Sequence, residues 1–200
     1  MIPVIKPQTK PQRKVFNKRI YNFKLFMRDL VRGFHAILKL QKIPKKYHVS
    51  RRLSEKIMMA VTSVNGCRFC SWVHTEMALK SGCSIAEIKE ILQSDFNNCA
   101  DDEAIALAFA QHFAENRGKP TKEALRKLVD FYGIQKSESI LSYIYMITIG
   151  NLTGNTIDAF EARLRGELIE DGNLLFEFLV FILGFIFHRA LILKYKNNGI

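Results

Sequence analysis

Two cysteines separated by two residues, with a histidine four positions further on, stand in the run VNGCRFCSWVH (64–74) as Cys67, Cys70 and His74. On a helix advancing about 100° per residue these three side chains fall within about 60° of one another, so all three face one pocket. Gly66 precedes them, which puts Cys67 on the first turn of a helix. There the unpaired backbone N–H groups and the helix dipole favour its thiolate, and a protonated His74 would do the same for Cys70. A CxxC pair on a helix can close to a disulfide only near the first turn, where the backbone can adjust. Three chemistries fit these residues. One is a redox dithiol. Another is a zinc site with Cys83, or less easily Cys99, as fourth ligand, although the spacing lacks a second CxxC or an HxxxH. The third is a pair of buried cysteines acting as small hydrophobes beside a core histidine, which the pairing argues against.

A carboxylate belongs to the same argument. Glu55 lies twelve positions before Cys67, on a helical face with Met58, Met59 and Thr62 and away from the stripe Leu53, Ile57, Ala60, Val61 and Val64. If that face is buried, Glu55 is suited to general-base work, and a hydrogen bond to His74, direct or through water, would pass protons to and from the thiols. The competing expectation is an exposed Glu55 paired with Arg51 one turn earlier.

The elements that must position these groups all read as helices. Residues 51–64 form one helix, Asn65 and Gly66 interrupt it, and the next begins around Cys67 and stops at Gly82. Ser84 with Glu87 makes a capping box. Asp101, Asp102 and Glu103 open a helix that ends at Gly118 and Pro120, Thr121 caps the one after it, and Gly133 closes that in turn. The stretch from Ser137 to Arg165 is long, with Gly150 and Gly154 one turn apart where a neighbouring backbone can approach closely. No segment shows the strict alternation of a strand, so the fold class is all-α.

Both ends differ from this middle. Residues 1–56 hold sixteen Lys and Arg against only Asp29 and Glu55, a net of +14, and the remaining residues carry −3. Phe23, Phe26, Met27, Leu30, Phe34, Ile37 and Leu38 follow helical spacing beside a basic stripe of Lys24, Arg28, Arg32 and Lys39, a cationic amphipathic helix. Pro3, Pro7 and Pro11 make the segment before it an extended arm. Such a basic quarter can lie on anionic lipid, nucleic acid or an acidic protein, or be the solvated face of a docking helix. The docking helix is slightly favoured here, with contact to an anionic membrane surface kept open and no nucleic acid expected. Leu174 to Leu193 is apolar except for Glu177, His188 and Arg189, close to the ~20 residues of a membrane span. Its uninterrupted apolar run, Phe178 to Phe187, is half that, which favours burial against another subunit or the basic helix. The division is thus a basic extension (1–48), a helical domain (49–165) and a hydrophobic helical extension (166–200).

The 200 residues, 48% of them hydrophobic, suffice for one well-buried domain with appendages. Four irregularly spaced cysteines make no disulfide scaffold, and the first twenty residues contain no apolar signal segment, so a reducing cytoplasm is the expected compartment, with membrane association through the extensions.

Taken together, Glu55, Cys67, Cys70 and His74 in SEKIMMAVTSVNGCRFCSWVHTEMALKSG resemble the E-x(11)-C-x-x-C-x-x-x-H signature of the alkylhydroperoxidase D-like branch of the carboxymuconolactone decarboxylase family. The resemblance runs through ALAFAQHFAENRGKPT and into IGNLTGNTIDAF, about residues 50–165. It implies a compact helical bundle that forms homo-oligomers. It also implies a peroxidase in which the Cys70 thiolate attacks a small hydroperoxide, Cys67 resolves the sulfenic acid to a disulfide, and Glu55 and His74 relay protons. No bound cofactor is called for. The reductant would be a protein or small-molecule thiol, lipoyl-bearing in some members. The chain departs from the best-known members at Phe69, where they carry a histidine immediately before the second cysteine; Phe69 would instead shape an apolar pocket for an organic hydroperoxide. The alternative kept open is a zinc-binding or membrane-surface module without peroxidase activity.

Overall fold

A computed structural model describes residues 13–184. The proline-bearing arm expected at 1–12 and the end of the apolar C-terminal segment, with His188 and Arg189, lie outside the described residues. Among the described residues there is no strand, only an isolated parallel bridge between Val15 and Leu168.

The bundle is built around α2 (Arg51–Asn65), which packs on α3 (Arg68–Lys80), α4 (Ile85–Leu92), α5 (Asp101–Glu115) and α6 (Lys122–Leu164). Ser50 caps α2 by accepting from the Leu53 N–H at 3.1 Å. Eleven of its fifteen residues are buried, so it has no solvent face, and the side that carries Glu55, Met58, Met59 and Thr62 is as enclosed as the Leu53 and Ile57 stripe. An all-round buried helix belongs at the centre of a domain, and this one serves as the axis of the fold.

The punctuation read from the sequence is in place. Ser84 and Glu87 form the reciprocal capping box of α4. Thr121 caps α6 through the Ala124 N–H at 3.2 Å. Gly133, at φ +72°, breaks α6 into a short first arm and a long second one that runs to Leu164; a left-handed position of this kind is cheap only for glycine.

The N-terminal helix α1 (Phe23–Lys42) is capped by Asn22 and lies along α6, meeting it with Asp29, Gly33 and Ala36. Arg28 and Arg32 of the basic stripe neutralise the buried Asp29, and Lys39 pairs with Glu138 of α6. The chain before α1 is tied to the segment that follows α6 by Phe16 N–H donating to the Leu168 carbonyl at 3.0 Å and Leu168 N–H donating to the Lys14 carbonyl at 2.9 Å. A last helix starts at residue 174 and continues to 184, where the described residues end. It is held by Glu177, fully buried, which accepts two hydrogen bonds of 2.9 Å from Arg163. Phe176 meets Phe23 and Phe26 of α1 edge to face. Among the described residues no helix is long and apolar enough to cross a membrane.

The expected apolar stripe of α1 does not pack inward. Phe23, Met27, Leu30, Phe34, Ile37 and Leu38 are exposed, as are Leu174, Leu175, Phe178, Leu179, Ile182 and Leu183 on the last helix. The small residues of α1 take the face toward α6, because close helix approach selects Gly and Ala there and leaves the large side chains outside.

Candidate functional site

The site forms where the end of α2, the start of α3 and the middle of α6 meet. At the end of α2, Gly66 takes φ +68° and ψ +27°, and the chain turns so that Cys67 becomes the N-cap of α3. The Cys67 sulfur accepts from the backbone N–H of Cys70 at 3.3 Å, in the place usually taken by a Ser or Asp oxygen. Cys70, one turn on, points to the same side, and the two free sulfurs are 2.8 Å apart.

Glycine makes room for them. A Cβ on Gly154 of α6 would sit 2.6 Å from the Cys67 sulfur, whereas one on Gly150 would reach ordinary contact, 3.8 Å from the Cys70 sulfur. The two glycines expected to let a backbone approach do so, and what approaches is the cysteine pair. Cys67 is 1% exposed and Cys70 7%.

Glu55 is 2% exposed and does not pair with Arg51. Its Oε2 lies 2.8 Å from Nδ1 of His74, a contact that joins α2 to α3 and fixes the imidazole. A carboxylate on Nδ1 directs the other ring nitrogen outward as the one free to exchange a proton. The structure thus joins the four residues singled out from the sequence in two pairs, Glu55 with His74 and Cys67 with Cys70.

The electrostatics of the pair are set by the hydrogen bond between the sulfurs. The Cys70 thiol donating to Cys67 pulls Cys67 below the usual thiol range, against its burial and helped by the Cys70 backbone N–H. The same bond, with burial and the charge on Cys67, pushes Cys70 up. Asp158 of α6 stands nearby, bridged by Lys18 at 2.8 Å and Arg68 at 2.9 Å, which hold its carboxyl low despite its burial.

Other expectations come out differently. Trp72, whose large apolar ring would ordinarily be placed in a core, is 50% exposed, since it follows Cys70 by two positions and turns away from the buried face of α3; it lies beside Phe69, ring centroids 6.0 Å apart. Phe69 itself is partly buried against the core, so an apolar ring occupies the position immediately before the second cysteine. Cys83 is buried next to Ser81, and burial raises Cys99 above the ordinary thiol range. Neither joins a metal set: among the described residues no group of three or more His, Cys, Asp and Glu could hold an ion. His112 accepts from the Thr121 N–H at 3.2 Å, at the start of α6.

Sequence reasoning missed a polar layer beneath the sulfurs. Asn151 of α6 donates to Thr62 Oγ1 at 3.0 Å and accepts from Asn65 Nδ2 at 3.2 Å. Asn155, one turn later, donates to the Asn65 carbonyl at 2.7 Å. The available signal was two asparagines each directly after a glycine, Gly150-Asn151 and Gly154-Asn155, inside an otherwise apolar helix.

Residues 29–112 match the model of the carboxymuconolactone decarboxylase family, a segment that contains Glu55, Cys67, Cys70 and His74 and ends before Gly150. No curated protein and no solved structure matches the chain.

Proposed function

We propose, from the match of residues 29–112 to the carboxymuconolactone decarboxylase family model, a thiol-dependent hydroperoxidase of the alkylhydroperoxidase D-like kind. The family includes decarboxylases and peroxidases; a lactone decarboxylase would leave the cysteine pair without a task. The observation that carries the reading is a part-buried Glu55–His74 pair at 2.8 Å, its imidazole one turn after Cys70 on α3, beside two free sulfurs 2.8 Å apart.

Cys70, the less enclosed sulfur, passes its proton to Cys67 across the 2.8 Å between the sulfurs and attacks the terminal oxygen of a hydroperoxide as its thiolate. The O–O bond breaks, Cys70 becomes a sulfenic acid, and the leaving alkoxide takes a proton from the His74–Glu55 pair to depart as an alcohol. Cys67 then attacks the sulfenic sulfur. A disulfide forms, hydroxide leaves, and the proton lost by Cys67 completes water. Two electrons have passed from the dithiol to the peroxide. A dithiol reductant, such as a lipoyl group on a protein, returns them by thiol–disulfide exchange and leaves as its own disulfide. Phe69, with the exposed Trp72 beside it, offers an apolar approach that favours an organic over an inorganic hydroperoxide. The dithiol resting state requires a reducing compartment, for which the cytoplasm is the simplest case.

Mild treatment with cumene hydroperoxide tests the reading. Each chain should lose two hydrogens by mass, Cys67→Ser and Cys70→Ser variants should not, and dihydrolipoamide should restore the dithiol and sustain turnover. Intact mass unchanged in the wild type after peroxide would overturn it. We further propose that the chain works as a homo-oligomer, supported by the exposed apolar faces of α1 and of residues 174–184.

A further inference from the structure

Gly150, Gly154 and Asp158 form one stripe along α6 at one-turn spacing. The two glycines lie against the sulfurs of Cys70 and Cys67. Asp158 follows Gly154 by four residues, about 6 Å along the axis, and so stands just past the Cys67 sulfur. There its carboxylate receives two cations. Lys18 Nζ donates to Oδ2 at 2.8 Å, while Arg68 donates from Nη2 to Oδ1 at 2.9 Å and from Nε to Oδ2 at 3.3 Å. Arg68 is the residue directly after Cys67. One carboxylate between two cations leaves a net charge of +1 beside the N-cap thiol.

Lys18 comes from the segment before α1, outside the residues 29–112 that match the family model. Backbone contacts fix that segment on both sides of it. Phe16 N–H donates to the Leu168 carbonyl at 3.0 Å, the Arg19 carbonyl accepts from Asn155 at 3.0 Å, and Tyr21 N–H donates to Thr156 Oγ1 at 2.9 Å. The Lys18 side chain is 25% exposed and that of Arg68 70%, so solvent and salt screen Lys18 the less.

The other charged groups facing this corner are matched among themselves. Glu55 of α2 holds His74 of α3. Glu161, further along α6, faces Arg165, which also meets Glu167 of the following segment. Cys67 itself is held below the usual thiol range chiefly by the hydrogen bond from Cys70; of the charged side chains, Asp158 opposes its thiolate and Lys18 favours it.

We propose that Lys18 is a positioning residue of the dithiol: by turning a neutral Arg68–Asp158 pair into a net cation, it stabilises the single negative charge that the two sulfurs share. It donates to Asp158 and not to a sulfur, so it acts through the carboxylate and the field at Cys67 rather than by contact with reacting atoms. The basic segment before α1 thereby has a task at the site. Within the peroxidase reading, on which the catalytic consequence rests, this is the charge that Cys70 takes over when it passes its proton to Cys67.

The test needs no peroxide. In a Cys70→Ser background, the pH dependence of iodoacetamide alkylation, followed by mass on the Cys67 peptide, reports the ionisation of Cys67 apart from Cys83 and Cys99. At low salt, Lys18→Met should raise that midpoint by about half a pH unit, the effect of one charge roughly 10 Å away in a partly solvated site. Asp158→Asn leaves two cations unopposed and should lower it by a similar amount. Lys18→Arg keeps the charge and should stay near the parent. Loosening of the segment would move the methionine and asparagine variants the same way, so shifts of the same sign overturn the proposal. Midpoints unmoved by either change, or an arginine variant that behaves like the methionine one, also overturn it. If Lys18→Met does not fold by circular dichroism, Lys18→Gln takes its place. Opposite shifts in a protein that consumes no peroxide would remove the peroxidase reading and leave the assignment of Lys18 standing.

Discussion

At the scale of single residues, the site depends on atoms that are absent as much as on those present. Gly154→Ala places a methyl 2.6 Å from the Cys67 sulfur, in a core with no slack, and overpacking of this kind costs about 1–3 kcal/mol. The same change at Gly150 meets only ordinary contact. Differential scanning calorimetry should show a clear fall in Tm for Gly154→Ala and little for Gly150→Ala, with slower disulfide formation in the first alone. Glu55→Gln keeps the packing but takes the carboxylate from His74, and loss of a proton relay lowers turnover by about 10²-fold or more. Single-turnover peroxide consumption, followed across pH, checks this; an unchanged rate would separate Glu55 from the chemistry. The four reactive residues were legible because their types are rare and their spacing is helical. Asn151 was not, because an asparagine in a helix declares nothing until the facing helix supplies Thr62 and Asn65.

At the scale of elements, α2, α4 and α5 are pinned by one buried cation. Lys56 of α2 is 1% exposed and contacts Glu87 of α4 at 2.8 Å and also Glu103 of α5, with Arg52 at the rim. Burial alone would lower the Lys56 pKa, but its hydrogen bonds to Glu103 and Glu87 outweigh that and raise it. The hydrogen bond from Lys56 is also the main cause that brings Glu87 down to about 2 from an ordinary 4.5. A depressed carboxyl stabilises the fold above its unfolded pKa and loses that contribution as pH falls through the folded value. Urea unfolding of the wild type should therefore weaken from about pH 4.5 downward to about pH 2, and Lys56→Met should flatten this slope. The same variant leaves two carboxylates short of a partner and should cost about 3 kcal/mol at neutral pH. Helix limits and caps were read closely from local signals such as Ser84 with Glu87, since capping is decided within a few residues. The orientation of α1 was not, because an apolar stripe gives no information on whether the small face beside it will win the closer packing.

At the scale of the whole molecule, apolar side chains stand outside on two neighbouring helices, α1 and residues 174–184, joined at Phe23 and Phe176. A second copy covering them would make a stable assembly, and light scattering after size exclusion should give more than one chain per particle. Changing Phe34 and Leu183 to Lys together should release single chains with the fold retained. Sedimentation with anionic vesicles is the competing outcome, and strong lipid binding by a single-chain wild type would replace the assembly proposal. Glu177 joins this surface to the bundle. Arg163→Met strands its carboxylate without a cation and should loosen residues 174–184, detected as early amide exchange there.

In the proposed peroxidase cycle, the glycine lid over the first sulfur would also decide the direction of recharging. Any donor large enough to be a protein cofactor meets the outer sulfur first, so the transient adduct with the reductant forms on Cys70 and Cys67 is the group expelled. Thiols that ionise readily depart readily, and Cys67 is the one held below the usual range, so the route open to the incoming reductant is also the one with the better leaving group.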